Sequence, residues 1–160
     1  MNRINGKRVL IGALAGGVTW SVWTSIVAMK ILIPTYMAEE RLGHVLAQPR
    51  YGLPVFFMSW FLAVFLISGI GAWLYAIARN SLGAGPITAL KIGAALGFAA
   101  GVPINLSVVS WYPVVRSVPF WWMADMWIGV ILAVLVAGFL YQDKLNREIE
   151  PVTGAEIGKH

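Results

Sequence analysis

A single carboxylate stands inside the last long apolar run of this 160-residue chain. It is Asp125, within the stretch from Ser117 to Gly129 that also carries Trp121, Trp122 and Trp127. An acid at bilayer depth is costly unless something pairs with it or it faces a polar cavity. Two kinds of chemistry suit it. In the first, Lys30 or Arg116 neutralises Asp125 and the ion pair sets helix register, although Lys30 can also snorkel to the surface. In the second, Asp125 is the base of an outward-facing polar pocket. Trp121 and Trp122 would be its walls, with Lys30, Asn105 and Ser110 nearby. Aromatic walls around one carboxylate suit an organic cation or an amphiphile headgroup. A proton relay is disfavoured, because the apolar runs hold no second acid.

Other chemistries lack their residues. The only histidines are His44 and His160, both outside the apolar runs. No Ser-His-Asp set can form in the membrane, and histidine-ligated haem is disfavoured. Asp125 has no His or Glu three or four residues on, so metal ligation is not expected. There is no cysteine, which removes thiolate sites and disulfides. Gly83-Ala84-Gly85-Pro86 lacks the Gly-Lys-Ser/Thr of a phosphate loop. The expectation is a non-enzymatic protein with no cofactor and no metal.

The elements that hold Asp125 follow from composition. Hydrophobic residues make up 59% and charged residues 12% of the chain, and the mean hydropathy is +0.74. Soluble domains carry roughly a quarter charged residues. Four apolar runs predict transmembrane helices over about 9–33, 53–78, 90–113 and 120–141, each near the length that crosses about 30 Å of hydrocarbon. The first run is too long for a signal-peptide core and ends at Pro34 without a cleavage site. Ala38-Glu39-Glu40-Arg41-Leu42 in the first loop suggests a short surface helix. Arg79 to Ala89 reads as a turn, with Thr88 as a cap for the next helix. Pro103 predicts a kink. Residues 143–160 read as a polar, mobile tail.

The expected fold is an all-α, integral membrane, four-transmembrane-helix bundle in one domain, residues 1–142. An even number of spans puts both termini on one side. That side holds Arg3, Lys7, Arg8, Arg79, Lys91, Lys144, Arg147 and Lys159, against Lys30, Arg41, Arg50 and Arg116 on the other. The excess places both termini in the cytoplasm. The net charge of +5 forms no basic stripe, so nucleic acid is not expected as a partner.

Small residues recur at helical spacing: Gly12 and Gly16, then Gly93, Gly97 and Gly101, then Gly129, Ala133 and Ala137. Such faces let helices approach closely in lipid. They serve packing within the chain or a homo-oligomer interface. Asp125 shares its face with Gly129 and Ala133, so it should point inward. Depth along the helices places Lys30, Ser110 and Asp125 at one outer level and Asn105 deeper.

Three stretches carry a resemblance: Val9 to Val18; Gly71-Ala72-Trp73-Leu74-Tyr75-Ala76-Ile77-Ala78-Arg79 with Leu82-Gly83-Ala84-Gly85-Pro86-Ile87-Thr88-Ala89; and Val136 to Tyr141. Together they resemble a loose group of small, uncharacterised four-helix bacterial membrane proteins, in which a Trp-Leu-Tyr-Ala helix end leads to an Arg and a Gly-x-Gly-Pro-x-Thr-Ala turn. This chain differs from that pattern at Asn80-Ser81. The resemblance implies the fold and topology and no chemistry. The functional expectation is an accessory or scaffold subunit of the bacterial cytoplasmic membrane, alone or in a larger complex. The competing expectation is a binder or transporter of an organic cation or amphiphile at the Asp125 pocket.

Overall fold

The structure, a computed structural model, describes residues 4–44, 50–111 and 117–141. The described residues are all helical apart from short connections: α1 Gly6–Val27, a π-helical turn Ala28–Leu32, α2 Ile33–Arg41, α3 Leu53–Leu82, α4 Pro86–Trp111 and α5 Ser117–Leu140. Four of these spans are long and apolar enough to cross a membrane: Gly6–Arg41, Leu53–Leu82, Pro86–Ser110 and Ser117–Leu140. Their outer faces carry apolar side chains such as Leu10, Leu62, Ile104 and Phe139, all exposed on the isolated chain. Faces of this kind need a non-aqueous surrounding.

Helix ends differ from the expected ones for identifiable reasons. Asn5 caps α1, its side-chain oxygen accepting from the Arg8 N–H, so the helix starts three residues before Val9. The first helix does not stop at Ile33. Pro34 supplies no N–H for the helix ladder, and the chain absorbs the gap by widening. The Ile33 N–H bonds the Ala28 carbonyl, five residues back, and α2 continues through Pro34. The Glu39-Glu40-Arg41 segment is thus the end of one long helix and not a separate surface helix. It closes on Gly43 at φ +74, whose N–H bonds Glu40 O while the His44 N–H bonds Glu39 O. This glycine-terminated cap satisfies the last carbonyls.

Helix α3 likewise runs past Arg79 to Leu82. The turn shrinks to Gly83-Ala84-Gly85, where Gly83 and Gly85 take positive φ. Thr88 closes the helix before the turn instead of capping the one after it: its hydroxyl donates to the Leu82 and Gly83 carbonyls. Pro86 opens α4 at a position where a missing N–H costs nothing. Pro119 falls in the first turn of α5, which begins at Ser117 rather than Phe120. The expected mobile tail, residues 143–160, and Arg116 lie outside the described residues.

Helix α5 is the centre of the bundle, packed against α1, α4 and α3. Its antiparallel seam with α1 steps four residues at a time. A Cβ on Gly12 would meet Ala137, one on Gly16 would meet the Ala133 carbonyl, and one on Gly129 would strike the Trp20 indole. The α4–α5 seam is built the same way: Gly93 lies on Ile131, Gly97 on Trp127, and Gly101 on Met126 and Met123. The Trp127 indole N–H donates to the Ala94 carbonyl at 3.0 Å across this seam. All eight small residues singled out from the sequence therefore lie at contacts within one chain. Trp20, Val64, Tyr75, Val130 and Val134 fill the core between the seams.

Candidate functional site

The α1–α5 seam ends on a polar pair. One step beyond Trp20 and Gly129, the Thr24 hydroxyl donates to Asp125 Oδ2 at 2.5 Å. Asp125 is 2% exposed, and its other oxygen, Oδ1, has no hydrogen-bond partner. The indole N–H groups of Trp20 and Trp23 are buried and also without partners; that of Trp23 lies near the Asp125 carboxyl. One turn toward the far end of α5, the Trp122 indole N–H donates to the Tyr36 hydroxyl, with the rings tilted at 58° and centroids 6.3 Å apart. The site therefore joins α1 (Trp23, Thr24), α2 (Tyr36) and α5 (Trp122, Asp125). Helical side chains lean toward the N-terminus of their helix. That lean sends Tyr36 back toward the bundle and Trp122 out to meet it.

The other expected site residues are placed elsewhere. Lys30 sits in the π turn and is exposed. Among the described residues it makes no ion pair; the acid Glu39 is instead met by His44, Nδ1 to Oε2 at 2.9 Å. Trp121 is 42% exposed and faces outward. Ser110 is exposed, and its hydroxyl returns to the Leu106 carbonyl. Asn105 is buried, but its amide donates to the Gly101 carbonyl of its own helix at 2.7 Å. Gly101 lies level with Met123 and Met126, so Asn105, one turn on, lies beyond Asp125 toward the far end. The expected order of depth is reversed, because α5 starts earlier than Phe120. Eight residues separate Ser117 from Asp125, which is about 12 Å of helix.

The geometry thus brings Asp125 and Trp122 together and leaves Trp121, Lys30, Ser110 and Asn105 apart from them. It adds Thr24, Trp23 and Tyr36. Thr24 had a signal in the sequence: it continues the row Gly12, Gly16, Trp20 at the same spacing. Among the described residues no three His, Asp or Glu side chains come together. The chemistry at hand is that of a buried carboxyl with one donor, one unpartnered oxygen and an aromatic surround.

The chain matches no protein family, and no characterised protein or solved structure is significantly similar to it.

A second polar cluster ties the terminal end together. The Arg79 guanidinium lies 4.9 Å from the centre of the Tyr141 ring and 5.9 Å from that of Tyr75, and it donates to the Tyr141 carbonyl. The Tyr141 hydroxyl accepts from the Asn5 N–H at 3.1 Å, and the Tyr75 hydroxyl from the Gly85 N–H at 3.2 Å. These residues link the start of α1, the α3–α4 turn and the end of α5. Tyr75, Arg79, Gly85, Thr88 and Tyr141 belong to the stretches that carry the resemblance noted above, and here their contacts are structural.

Proposed function

We propose that this chain is a non-enzymatic, multi-pass protein of the bacterial cytoplasmic membrane that acts as an accessory or scaffold subunit. Both termini lie in the cytoplasm. The observation that carries this reading is the way Asp125 is held. It sits at the end of a seam where helix backbones touch, bonded to Thr24, with 2% of its surface accessible. A group enclosed this way fixes the register of α1 against α5 and presents nothing to a substrate. The small residues that bring the helices together make the bundle rigid, which suits a subunit that others assemble on. A tagged protein purified in mild detergent should bring down a stoichiometric membrane partner. Repeated isolation of the chain alone would count against the subunit role. A periplasm-active reporter fused after Lys144 should be silent, and strong activity there would reverse the topology.

A second reading is binding of a small organic cation. What favours it is the unpartnered Oδ1 of Asp125, within an aromatic surround of Trp23, Tyr36 and Trp122. Entry would require the Trp122–Tyr36 contact to part. On this reading Asp125→Asn leaves the fold intact and abolishes a cation-dependent thermal shift. Retention of that shift would exclude Asp125 as the anchor.

A further inference from the structure

The α1–α3 seam is open on its outer side, unlike the two seams made by α5. A groove of about 470 Å³ runs there between Leu10 and Leu14 of α1 and the stretch from Leu62 to Trp73 of α3. Its lining is almost wholly apolar. Gly69 and Ala13 form the floor, and nothing comes nearer than 3.9 Å to a Cβ built on Gly69.

Length decides what fits. Leu62 to Trp73 is eleven steps of helix, about 16 Å, which is half of a hydrocarbon core about 30 Å thick. A partner helix would need a groove across the whole core, whereas one acyl chain of one leaflet needs only half. Charge decides what sits at the mouth. At the terminal end the groove is lined by Leu10 and Trp73. Lys7 stands one turn before Leu10 on the same helix face, and it is exposed. Among the described residues this end carries Lys7, Arg8, Arg79 and Lys91 and no acid, while the far end mixes Lys30, Arg41 and Arg50 with Glu39 and Glu40. Basic residues at a helix cleft attract anionic headgroups, and the first N–H groups of α1 add to the attraction.

We infer that the α1–α3 groove is a binding site for one anionic glycerophospholipid. An acyl chain lies along Gly69 and Leu66, and the phosphate lies at Lys7 and the first turn of α1. The site needs only that the helices span a bilayer, and it does not involve Asp125.

The test is native mass spectrometry of the full chain, stripped of lipid in a neutral detergent. It is then offered phosphatidylglycerol or phosphatidylcholine with identical acyl chains. Wild type should retain phosphatidylglycerol about fivefold more than phosphatidylcholine, the preference one lysine near an anionic surface supplies. Lys7→Gln should bring the two to the same level. Lys91→Gln, at the same end but on α4, should change nothing. Gly69→Leu should fill the groove and lose both lipids while its helix content stays that of wild type; if it fails to fold, Leu14→Phe fills the groove from the other wall. Equal retention of the two lipids by wild type would overturn the inference. So would undiminished phosphatidylglycerol on a folded groove-filling variant, or a Lys91→Gln effect equal to that of Lys7→Gln.

Discussion

The α1–α5 seam makes a sharp prediction at Gly16. An alanine there places its Cβ 2.6 Å from the Ala133 carbonyl oxygen, where ordinary contact begins near 3.4 Å. The helices must part by about 0.8 Å at that point. The blocking atom is backbone, so no side-chain rotation relieves it. Because helices are stiff, the separation extends along the seam. Thr24 lies two turns on, about 12 Å away, and its bond to Asp125 lengthens as well. Overpacking of a close interior contact costs about 1–3 kcal/mol, and 2 kcal/mol is about a thirtyfold change in the folding equilibrium. The assay is reversible unfolding in mixed micelles, titrated with a denaturing detergent and followed by far-UV circular dichroism. Gly16→Ala should unfold at clearly lower denaturant than wild type, and Ala133→Gly should not rescue it, since the obstructing carbonyl remains. Gly69→Ala, whose Cβ would meet only the Ala13 Cβ at an ordinary 3.9 Å, is the control and should unfold with wild type or later, because alanine favours helix over glycine. A Gly16→Ala protein as stable as Gly69→Ala would show that the seam is not in backbone contact, and the proposed rigid module would fail with it.

Perturbations at four further sites probe the polar contacts and the π turn. Thr24→Val removes the donor to Asp125 and should destabilise by about 1–3 kcal/mol, whereas Thr24→Ser should be close to wild type in the same unfolding titration; equal effects would mean that the hydroxyl bond contributes nothing. Asp125→Asn keeps an acceptor facing Thr24 and should shift stability by less than about 1 kcal/mol; a large loss would point to an ionic partner. Pro34→Ala restores an N–H to the ladder and should close the π turn to α, rotating α2 by about 100°. The Trp122 indole N–H resonance should then move as it does in Tyr36→Phe, and an unchanged resonance would refute the link between Pro34 and the π turn. At the terminal end, Tyr141→Phe removes the acceptor of the Asn5 N–H and should cost about 0.5–1.5 kcal/mol. Tyr141→Leu also removes the ring beneath Arg79 and should cost about 0.5–2 kcal/mol more. Hydrogen exchange at the start of α1 should rise in that order.

The four spans were legible because each apolar run holds at most one charged residue over the length that lipid demands. The helix ends were less so. Pro34 looked like a stop, yet the stretch after it stays helical because a π turn accommodates the missing N–H. Arg79-Asn80-Ser81 looked like a turn, yet only Gly83 and Gly85 take the backbone angles that a turn requires. Thr88 was recognisable as a cap but not as the cap of the helix before it, since its bonds run back across the turn.

Asp125 shows where reading of single residues stopped short. Its isolation among apolar side chains suggested a cation as partner, and Lys30 was the nearest one in depth. Depth was the wrong coordinate. The row Gly12, Gly16, Trp20, Thr24 defines the face of α1 that meets α5, because small residues mark a seam. Lys30 is six residues past Thr24. At 100° per residue it stands about 120° around the helix from that row, before any effect of the π turn. It therefore could not reach Asp125 without α1 turning its small face away from α5. Two rows of small residues, paired antiparallel, fix which side chain faces the acid, and that side chain is a hydroxyl. The buried acid is held by helix register first and by its own chemistry second, so any ligand of Asp125 must compete with the packing of Gly16 and Gly12, about two and three turns away.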